Sequence, residues 1–203
     1  MVVVRILKLG KLSDVIKEAK KVVEEGGIII YPTDTVYGIG GDATEPSVVK
    51  KVKDIKKITD DKPFSVMFSD ISMIEEYCIV DFATELILKK YLPGPYTFIL
   101  KLHRPIAAAN DLTLGVRIPE LSFCYELCNA VKRPIITTSA NITGFSPPTK
   151  FSDIDSRLIE KVDLAIDSGS TKYGAPSTII DLVEKKIRRQ GEAPIDLQEF
   201  LSI

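Results

Sequence analysis

Apolar and polar positions alternate in blocks along the chain, and these blocks predict strands and helices in turn. Residues 2–7 are apolar and β-branched, which is typical of a strand. Ser13 and Asp14 then precede a run whose apolar residues recur every three or four positions, which predicts a helix that these two residues cap. Residues 27–31 form a short continuous apolar run, which predicts a buried strand.

The rest of the chain continues both patterns up to a short amphipathic tail at 195–201. Because several connections are short enough for hairpins, we expect mixed rather than parallel pairing, in one α/β domain over residues 1–203. The further predicted strands are 64–68, 96–102, 115–118, 134–138, 164–167, 177–183 and 186–189, and the further predicted helices are 46–57, 71–77, 82–91, 122–131 and 153–162.

Composition and charge narrow the class of protein. The 203 residues carry 28 acidic and 27 basic side chains, a net charge of −1, which argues against binding nucleic acid through overall positive charge but leaves room for a local basic patch. No apolar run approaches the length of a membrane span, and the N-terminus lacks a signal peptide, so we expect a cytoplasmic protein without membrane contact. The odd number of cysteines, with Cys124 and Cys128 one helical turn apart, predicts free thiols rather than a metal site.

Polar side chains directly follow the predicted strand 27–31. Two threonines, an aspartate and a tyrosine lie within residues 33–37, and glycines within 38–41 allow a ligand to approach the backbone closely. Polar residues just past strand ends are typical of binding sites in open α/β sheets. The same pattern also fits a strand bend with an Asx turn at Asp34.

Two further polar segments are candidates for binding. Small hydroxyls and a carboxamide end the predicted strand 134–138 at residues 137–141, where they can bind a phosphate or an amino acid, or cap the turn. Arg117 interrupts an apolar strand, which places it either at an edge or in a cleft. Lysines cluster on the predicted helix 46–57; most belong to a solvated face, and one or two are candidates for a phosphate contact.

Seven motifs occur in one order along the chain and give it a family resemblance. They are residues 31–40 (YPTDTVYGIG), 62–66 (KPFSV), 92–100 (LPGPYTFIL), 115–119 (GVRIP), 138–144 (TSANITG), 176–181 (PSTIID) and 188–191 (RRQG). Over about residues 12–191 the chain resembles the L-threonylcarbamoyladenylate synthase family, whose members have a YrdC-like domain. This resemblance implies a single-domain, open, twisted mixed sheet with flanking helices around a concave basic cavity, without the extra C-terminal domain of longer members.

The resemblance also implies an activity. A nucleotidyltransferase of this family forms threonylcarbamoyl-AMP and pyrophosphate from L-threonine, bicarbonate and ATP, with Mg²⁺ accompanying the nucleotide. Separate transferase machinery then moves the threonylcarbamoyl group to adenosine 37 of tRNA, which makes t6A. The family further implies binding of tRNA or double-stranded RNA.

Site residues follow from the same resemblance. Arg117 is expected to hold the threonine carboxylate, because its planar fork matches a carboxylate. Lys56, Ser139 and Asn141 are the expected catalytic groups, and no protein-bound metal is expected. The expected threonine pocket is Thr35, Arg117, Thr137 and Ser177, and the expected ATP-binding residues are Lys56, Lys62, Thr113, Ser139, Asn141, Pro147 and Arg189.

Three positions depart from the family pattern. Ile58 stands where the family has an arginine, Met67 where a histidine is frequent, and Lys62 where an asparagine is usual. A neutral side chain such as that of Ile58 cannot bind phosphate through a hydrogen bond, so we hypothesise that Lys57 or Lys62 supplies the missing charge.

Two alternatives therefore stay open at this point. One is a YrdC-like paralogue that binds nucleotide, double-stranded RNA or tRNA with weak or no synthase activity. The other is a dinucleotide-dependent enzyme, which depends on the loose match of Gly38 and Gly40 to a dinucleotide fingerprint that Pro32 interrupts.

Overall fold

A computed structural model describes residues 5–59, 62–109, 112–191 and 193. Within these ranges the strands are β1 Arg5–Lys8, β2 Ile29–Tyr31, β3 Gly38–Gly40, β4 Ser65–Met67, β5 Tyr96–Lys101, β6 Thr113–Arg117, β7 Ile135–Ile136, β8 Thr138–Ser139, β9 Leu164–Asp167, β10 Thr178–Asp181 and β11 Lys186–Arg189. The helices are α1 Leu12–Glu24, α2 Pro46–Lys56, α3 Ile71–Glu75, α4 Phe82–Tyr91, α5 Ser122–Val131 and α6 Ser156–Ile159, with a 3₁₀ turn at Phe151–Asp153.

The strands of the described residues form two mixed sheets. One has the order β1-β9-β2-β3-β8, and the other has the order β11-β10-β5-β6-β4-β7. Parallel pairs such as β4 with β6 occur beside antiparallel pairs such as β5 with β6. The α/β class and the mixed pairing are confirmed, while the strands divide between two sheets rather than one.

The division occurs inside the predicted strand 134–138. Its first half, β7, pairs with β4 of the six-stranded sheet, and its second half, β8, pairs with β3 of the five-stranded sheet. Thr137 lies between them, and its N–H donates to the carbonyl of Ser65 at 2.8 Å. One continuous segment thus joins the sheets and brings their polar residues together.

The glycines of residues 38–41 allow two antiparallel chain segments to lie close together. A Cβ on Gly40 would lie 1.9 Å from the carbonyl oxygen of Ile136, and one on Gly38 would lie 3.1 Å from the Tyr31 ring. Such distances leave no space for a side chain. The prediction that these glycines make room for a ligand is wrong, and because Gly38 and Gly40 lie inside β3 rather than in a turn that opens a helix, the dinucleotide fingerprint is wrong as well.

Two apolar clusters surround the sheets. The larger one combines side chains from both sheets, for example Ile30 and Ile39 from the first with Phe98 and Val116 from the second. The smaller one packs α1 and α5 against the strands and includes Met67, so the position of the expected histidine is buried among apolar side chains. The larger cluster thus joins the two sheets, and the assignment of residues 1–203 to one domain stays a prediction.

Several predicted boundaries need correction. Helix α1 begins at Leu12, so Ser13 and Asp14 lie inside its first turn instead of capping it. The predicted helix 153–162 is shorter, because the Asp155 side chain accepts the N–H of Arg157 and starts α6 there. The amphipathic tail at 195–201 lies outside the described residues.

The helices and thiols in the described ranges agree with two simpler expectations. None of these helices combines the length and apolar character required to cross a bilayer. The three cysteines, Cys78, Cys124 and Cys128, are buried and unpaired.

Candidate active site

A small polar cavity lies where the two sheets meet, with a volume of about 170 Å³. It combines residues from several of the motifs, including six of the predicted site residues. Its lining residues are Val36, Pro63, Phe64, Ser65, Thr97, Arg117, Thr137, Thr138, Ser139, Pro147, Pro176, Ser177, Ile179 and Arg189.

Arg117 ends β6 and is the most constrained charge in the cavity. Its side chain is buried, and its Nη2 donates to Asp34 Oδ1 at 2.9 Å and to Thr35 Oγ1 at 3.0 Å. The other Asp34 oxygen accepts the backbone N–H of Glu120 at 3.1 Å. Arg117 Nε is buried and has no hydrogen-bond partner among the described residues. A buried guanidinium that is held from one side and keeps an unused donor can bind a carboxylate.

Thr35 supports Arg117 from behind instead of lining the cavity. Its side chain is fully buried, and its Oγ1 lies 3.0 Å from Thr33 Oγ1 in addition to accepting from Arg117. Thr33 Oγ1 in turn donates to the carbonyl of Val36 at 2.7 Å. The structure therefore places Thr35 next to the predicted carboxylate anchor, where it orients the guanidinium.

Ser177 and Arg189 form the opposite wall of the cavity. Ser177 directly precedes β10, and Arg189 is the last residue of β11. Ser177 Oγ lies 2.8 Å from Thr97 Oγ1, and Arg189 donates through Nε to the Ser177 carbonyl at 3.0 Å and through Nη2 to Ser177 Oγ at 3.2 Å. Burial, and then repulsion from Arg117, lower the pKa of Arg189. Two guanidiniums that repel each other across one small cavity favour an anionic ligand.

Lys56 lies beneath the segment 139–143 and does not belong to the described cavity wall. Its ammonium donates to the carbonyls of Ser139 and, at 2.8 Å, of Asn141. Thr143 returns two hydrogen bonds to the Lys56 carbonyl, from N at 3.2 Å and from Oγ1 at 3.0 Å. The side chain is buried, and burial lowers the pKa of Lys56 to about 8. Its contacts make Lys56 the support of this segment.

Asn141 holds the following turn. Its Nδ2 donates to the carbonyls of Ile142 at 3.1 Å and of Phe145 at 2.6 Å. Its Oδ1 is buried and lacks a hydrogen-bond partner within the described part of the chain. Ser139 and Pro147, on either side of this turn, both line the cavity.

Other predicted residues lie near the cavity without lining it. Thr113 shares a face of β6 with Arg117, because side chains alternate along a strand, but it is four residues away. Lys62 is exposed and directly precedes Pro63 of the cavity wall. Ile58, where an arginine was expected, packs against the larger apolar cluster, and Lys57 ends α2 with an exposed side chain.

Ser65 and Thr97 are cavity residues that the sequence interpretation missed. Both stand in motifs that supported the family resemblance, and a Cβ on Gly115 would lie 3.0 Å from Ser65 Oγ and 3.4 Å from Thr97 Cγ2. Gly115 therefore makes room for the side chains of Ser65 and Thr97. The polar residue in each of these short, otherwise apolar strands was the signal that would have identified them.

Comparisons with known proteins agree with this arrangement. The model of the Sua5/YciO/YrdC family, which has the description "Telomere recombination", matches residues 21–191. A protein of Methanocaldococcus jannaschii named "Putative threonylcarbamoyl-AMP synthase" is 40% identical over 97% of this chain and 96% of its own length. The threonylcarbamoyl-AMP synthase of Pyrococcus abyssi is 31% identical over 89% of this chain, which spans only 55% of that relative.

Solved structures show the same similarity. P. abyssi Sua5 complexed with L-threonine superposes with a TM-score of 0.86 at 29% identity, over 95% of this chain and 58% of that one. Escherichia coli YciO superposes with a TM-score of 0.84 at 28% identity, over 98% of this chain and 100% of that one. With a family model matching most of its length, this chain belongs to the Sua5/YciO/YrdC family.

Proposed function

We propose that this protein is a threonylcarbamoyl-AMP synthase. It converts L-threonine, bicarbonate and ATP into threonylcarbamoyl-AMP, pyrophosphate and water. The observation that carries the proposal is the buried Arg117, held by Asp34 and Thr35 and left with an unpartnered Nε in a polar cavity. The names of the M. jannaschii and P. abyssi relatives support it.

Arg117 binds the α-carboxylate of threonine in this proposal. The unpartnered Nε–H and the positive charge of the guanidinium bind the carboxylate, and Asp34 and Thr35 fix the orientation of the guanidinium before the substrate arrives. Thr137 and Ser177 line the same cavity and supply hydroxyls for the substrate side chain and amine. The complex of P. abyssi Sua5 with L-threonine supports this assignment of the cavity.

The chemistry needs no covalent intermediate on the protein. The threonine amine attacks bicarbonate, water leaves, and a carbamate forms. A carbamate oxygen then attacks the α-phosphorus of ATP, and the bond from that phosphorus to the pyrophosphate oxygen breaks. Charge grows on the phosphoryl oxygens during this step, so a fixed cation beside them stabilises the transition state.

Arg189 is the cation that lines the cavity opposite Arg117, and we assign it to the phosphate chain. Ser139 lines the wall next to it and positions the nucleotide. Lys56 holds the Ser139 and Asn141 carbonyls in place, so its contribution is to shape the nucleotide side of the site. Lys62 and Thr113 stay candidates for contacts with the outer part of ATP.

ATP enters as its Mg²⁺ complex in this proposal. Among the described residues there is no group of three His, Cys, Asp or Glu side chains arranged to hold a metal ion. The protein groups around the cavity are cations and hydroxyls, which suit the phosphates rather than the metal. The ion is therefore assigned to the substrate.

The product defines the partners that we propose. Threonylcarbamoyl-AMP is a reactive mixed anhydride, so transferase machinery that delivers its threonylcarbamoyl group to adenosine 37 of tRNA must act next. We place both steps in the cytoplasm, and we assign the reaction to one domain spanning residues 1–203.

The test is release of pyrophosphate from ATP, with and without L-threonine and bicarbonate, together with mass spectrometric detection of threonylcarbamoyl-AMP. We expect pyrophosphate release to require all three substrates. Pyrophosphate release that does not depend on threonine contradicts the proposal. The absence of release although ATP is bound contradicts it as well.

A second candidate function is nucleotide or RNA binding without synthase activity, and Ile58 favours it. Ile58 occupies the expected arginine position and packs against the apolar core, so the nucleotide side of the site lacks the positive charge of that arginine. The similarity to YciO of E. coli, a protein described as uncharacterized, extends over 92% of both chains at 31% identity.

Ile58→Arg separates the two candidates, since an arginine at a half-buried position can extend its head group to solvent. If the unaltered chain releases no pyrophosphate and Ile58→Arg gains threonine-dependent release, the chain is a relative whose phosphate site has changed. If the unaltered chain already turns over, the synthase proposal holds without that arginine. RNA binding whose affinity falls steeply with salt, without turnover, supports the second candidate.

A further inference from the structure

Phe145 is a large aromatic side chain exposed to solvent on the turn that Asn141 holds. Its side chain is 63% exposed, although a phenylalanine is usually buried. Its backbone is fixed on both sides, because its N–H donates to the Ile142 carbonyl at 3.1 Å and its carbonyl accepts from Asn141 Nδ2 at 2.6 Å. An exposed ring on an anchored turn presents a preformed apolar surface.

The turn lies at the edge of the cavity. Residues Ser139 and Pro147 line the cavity on either side of the turn. Because consecutive Cα atoms are about 3.8 Å apart, the Cα atoms of Phe145 and Pro147 are separated by at most about 7.6 Å. Phe145 is therefore two residues along the chain from the cavity wall, on the turn that borders the cavity.

The cavity is too small to enclose a nucleotide. Its volume of about 170 Å³ is below the range of roughly 300–1,000 Å³ that is usual for sites enclosing a drug-sized ligand. Its lining is polar and includes two guanidiniums, which suit the amino acid and the phosphates. The base of a nucleotide whose phosphates lie beside Arg189 and Ser139 must therefore lie outside this cavity, over its rim.

We propose that Phe145 is the platform on which the adenine base of ATP stacks. This inference depends on the proposed function, because it assigns the base of the same nucleotide whose phosphates bind beside Arg189. Stacking covers a hydrophobic face of the base and the exposed ring at once, and the anchored backbone of Phe145 limits the entropy lost on binding. Phe145 is thus a determinant of nucleotide affinity that touches the base and not the reacting atoms.

The experiment uses the absence of tryptophan from the sequence. Phe145→Trp places a single tryptophan at the proposed platform, and Phe82→Trp places one at an exposed position on α4, a helix that contributes no residue to the described cavity wall, as the matched control. ATP should quench the emission of Phe145→Trp, while inorganic triphosphate at the same concentration should not. Neither ligand should change the emission of Phe82→Trp.

Affinity provides the second measurement. Phe145→Ala should raise the Kd for ATP, measured by calorimetry, by about 5-fold to 150-fold, the range for loss of one base–aromatic stack. Phe145→Tyr should stay within about twofold of the unaltered chain, and Phe82→Ala should not change it.

The outcomes separate this inference from the proposed function. Unchanged ATP affinity in Phe145→Ala, or unquenched emission of Phe145→Trp with ATP bound, overturns the platform while threonine-dependent turnover still supports the synthase. Quenching by inorganic triphosphate as strong as that by ATP overturns it too, because the signal then reports phosphate binding. Failure of the unaltered chain to bind ATP overturns both.

Discussion

At the scale of single residues, Arg117 shows how a buried charge becomes a binding group. Its burial is tolerated because Asp34 neutralises it, and Thr35 accepts a further hydrogen bond. Removing the arginine altogether would leave Asp34 buried without its partner, so the loss of the side chain would change both the stability of the protein and its binding of threonine. A substitution that keeps the positive charge isolates the binding role.

We predict that Arg117→Lys raises the KM for L-threonine by about tenfold or more and changes the KM for ATP little. A lysine retains the charge toward Asp34 but has no counterpart of the free Nε–H donor, and one charged hydrogen bond contributes about 1.5–3 kcal/mol. Steady-state pyrophosphate assays measure both constants. Arg157→Lys is the control, because Arg157 pairs with Asp155 at an exposed position. An unchanged KM for threonine would contradict the assignment of Arg117.

Lys56 is the second residue whose surroundings give a testable prediction. Burial lowers the pKa of its ammonium from 10.5 to about 8. Below pH 8 the amine is charged in both the folded and the unfolded chain. Between pH 8 and 10.5 only the unfolded chain holds the proton, so stability rises with pH in this window.

The contribution of Lys56 to the free energy of unfolding should therefore increase by on the order of 3 kcal/mol between pH 8 and 10.5. Urea unfolding of the unaltered chain and of Lys56→Met at several pH values measures it as the difference between the two curves, which removes the titration of other groups. Parallel curves over this pH window would show that the ammonium of Lys56 does not titrate in this range.

At the scale of elements, the close approach of β3 to β7 fixes how the sheets meet. The backbone of Gly40 lies against Ile136, and the chain then passes from β7 through Thr137 into β8. Because Thr137 and Ser139 both line the cavity, the position of this close contact sets the shape of the site.

Gly40→Ala should lower the free energy of unfolding by about 3 kcal/mol or more, since its Cβ would lie 1.9 Å from a carbonyl oxygen and one segment must shift. Denaturant unfolding measures the loss. Gly10→Ala is the matched control: its Cβ would lie 3.9 Å from the Lys8 carbonyl oxygen, an ordinary contact distance, so the change should stay within about 0.5 kcal/mol. Equal stability of the two variants would show that the close contact between Gly40 and Ile136 tolerates a side chain.

At the scale of the whole molecule, the two sheets share one core and one cavity. The larger apolar cluster takes side chains from both sheets, and the cavity wall does the same. Neither sheet can unfold without exposing the core of the other and opening the site. The molecule should therefore unfold as one unit, and ligands should stabilise all of it.

We predict a single thermal transition with equal calorimetric and van't Hoff enthalpies. L-Threonine at about 100 times its Kd should raise the Tm by roughly 5–10 °C, because it adds about 2.7 kcal/mol and each 1 kcal/mol shifts the Tm of a domain of this size by about 2–4 °C. Scanning calorimetry measures both quantities. Two resolved transitions, with only one shifted by threonine, would contradict the single domain.

The sequence by itself determined most elements and part of the cavity wall. Helices α4 and α5 and strand β9 have the bounds that the apolar spacing predicts, because periodicity and turn residues act over short distances. The family resemblance of the motifs also identified six residues of the cavity wall, and the polar pattern at strand ends by itself pointed to three of them, Arg117, Thr137 and Ser139.

The tertiary structure alone decided what each polar residue does. Lys56 bonds to a carbonyl 83 residues away, and Arg117 bonds to Asp34 across the same separation, so no local pattern shows which of them faces the cavity and which supports it. The division of residues 134–138 between two sheets has the same cause. The sheet that each half joins depends on pairing partners that are far away in the chain. The burial of a polar group likewise depends on all the elements that pack around it.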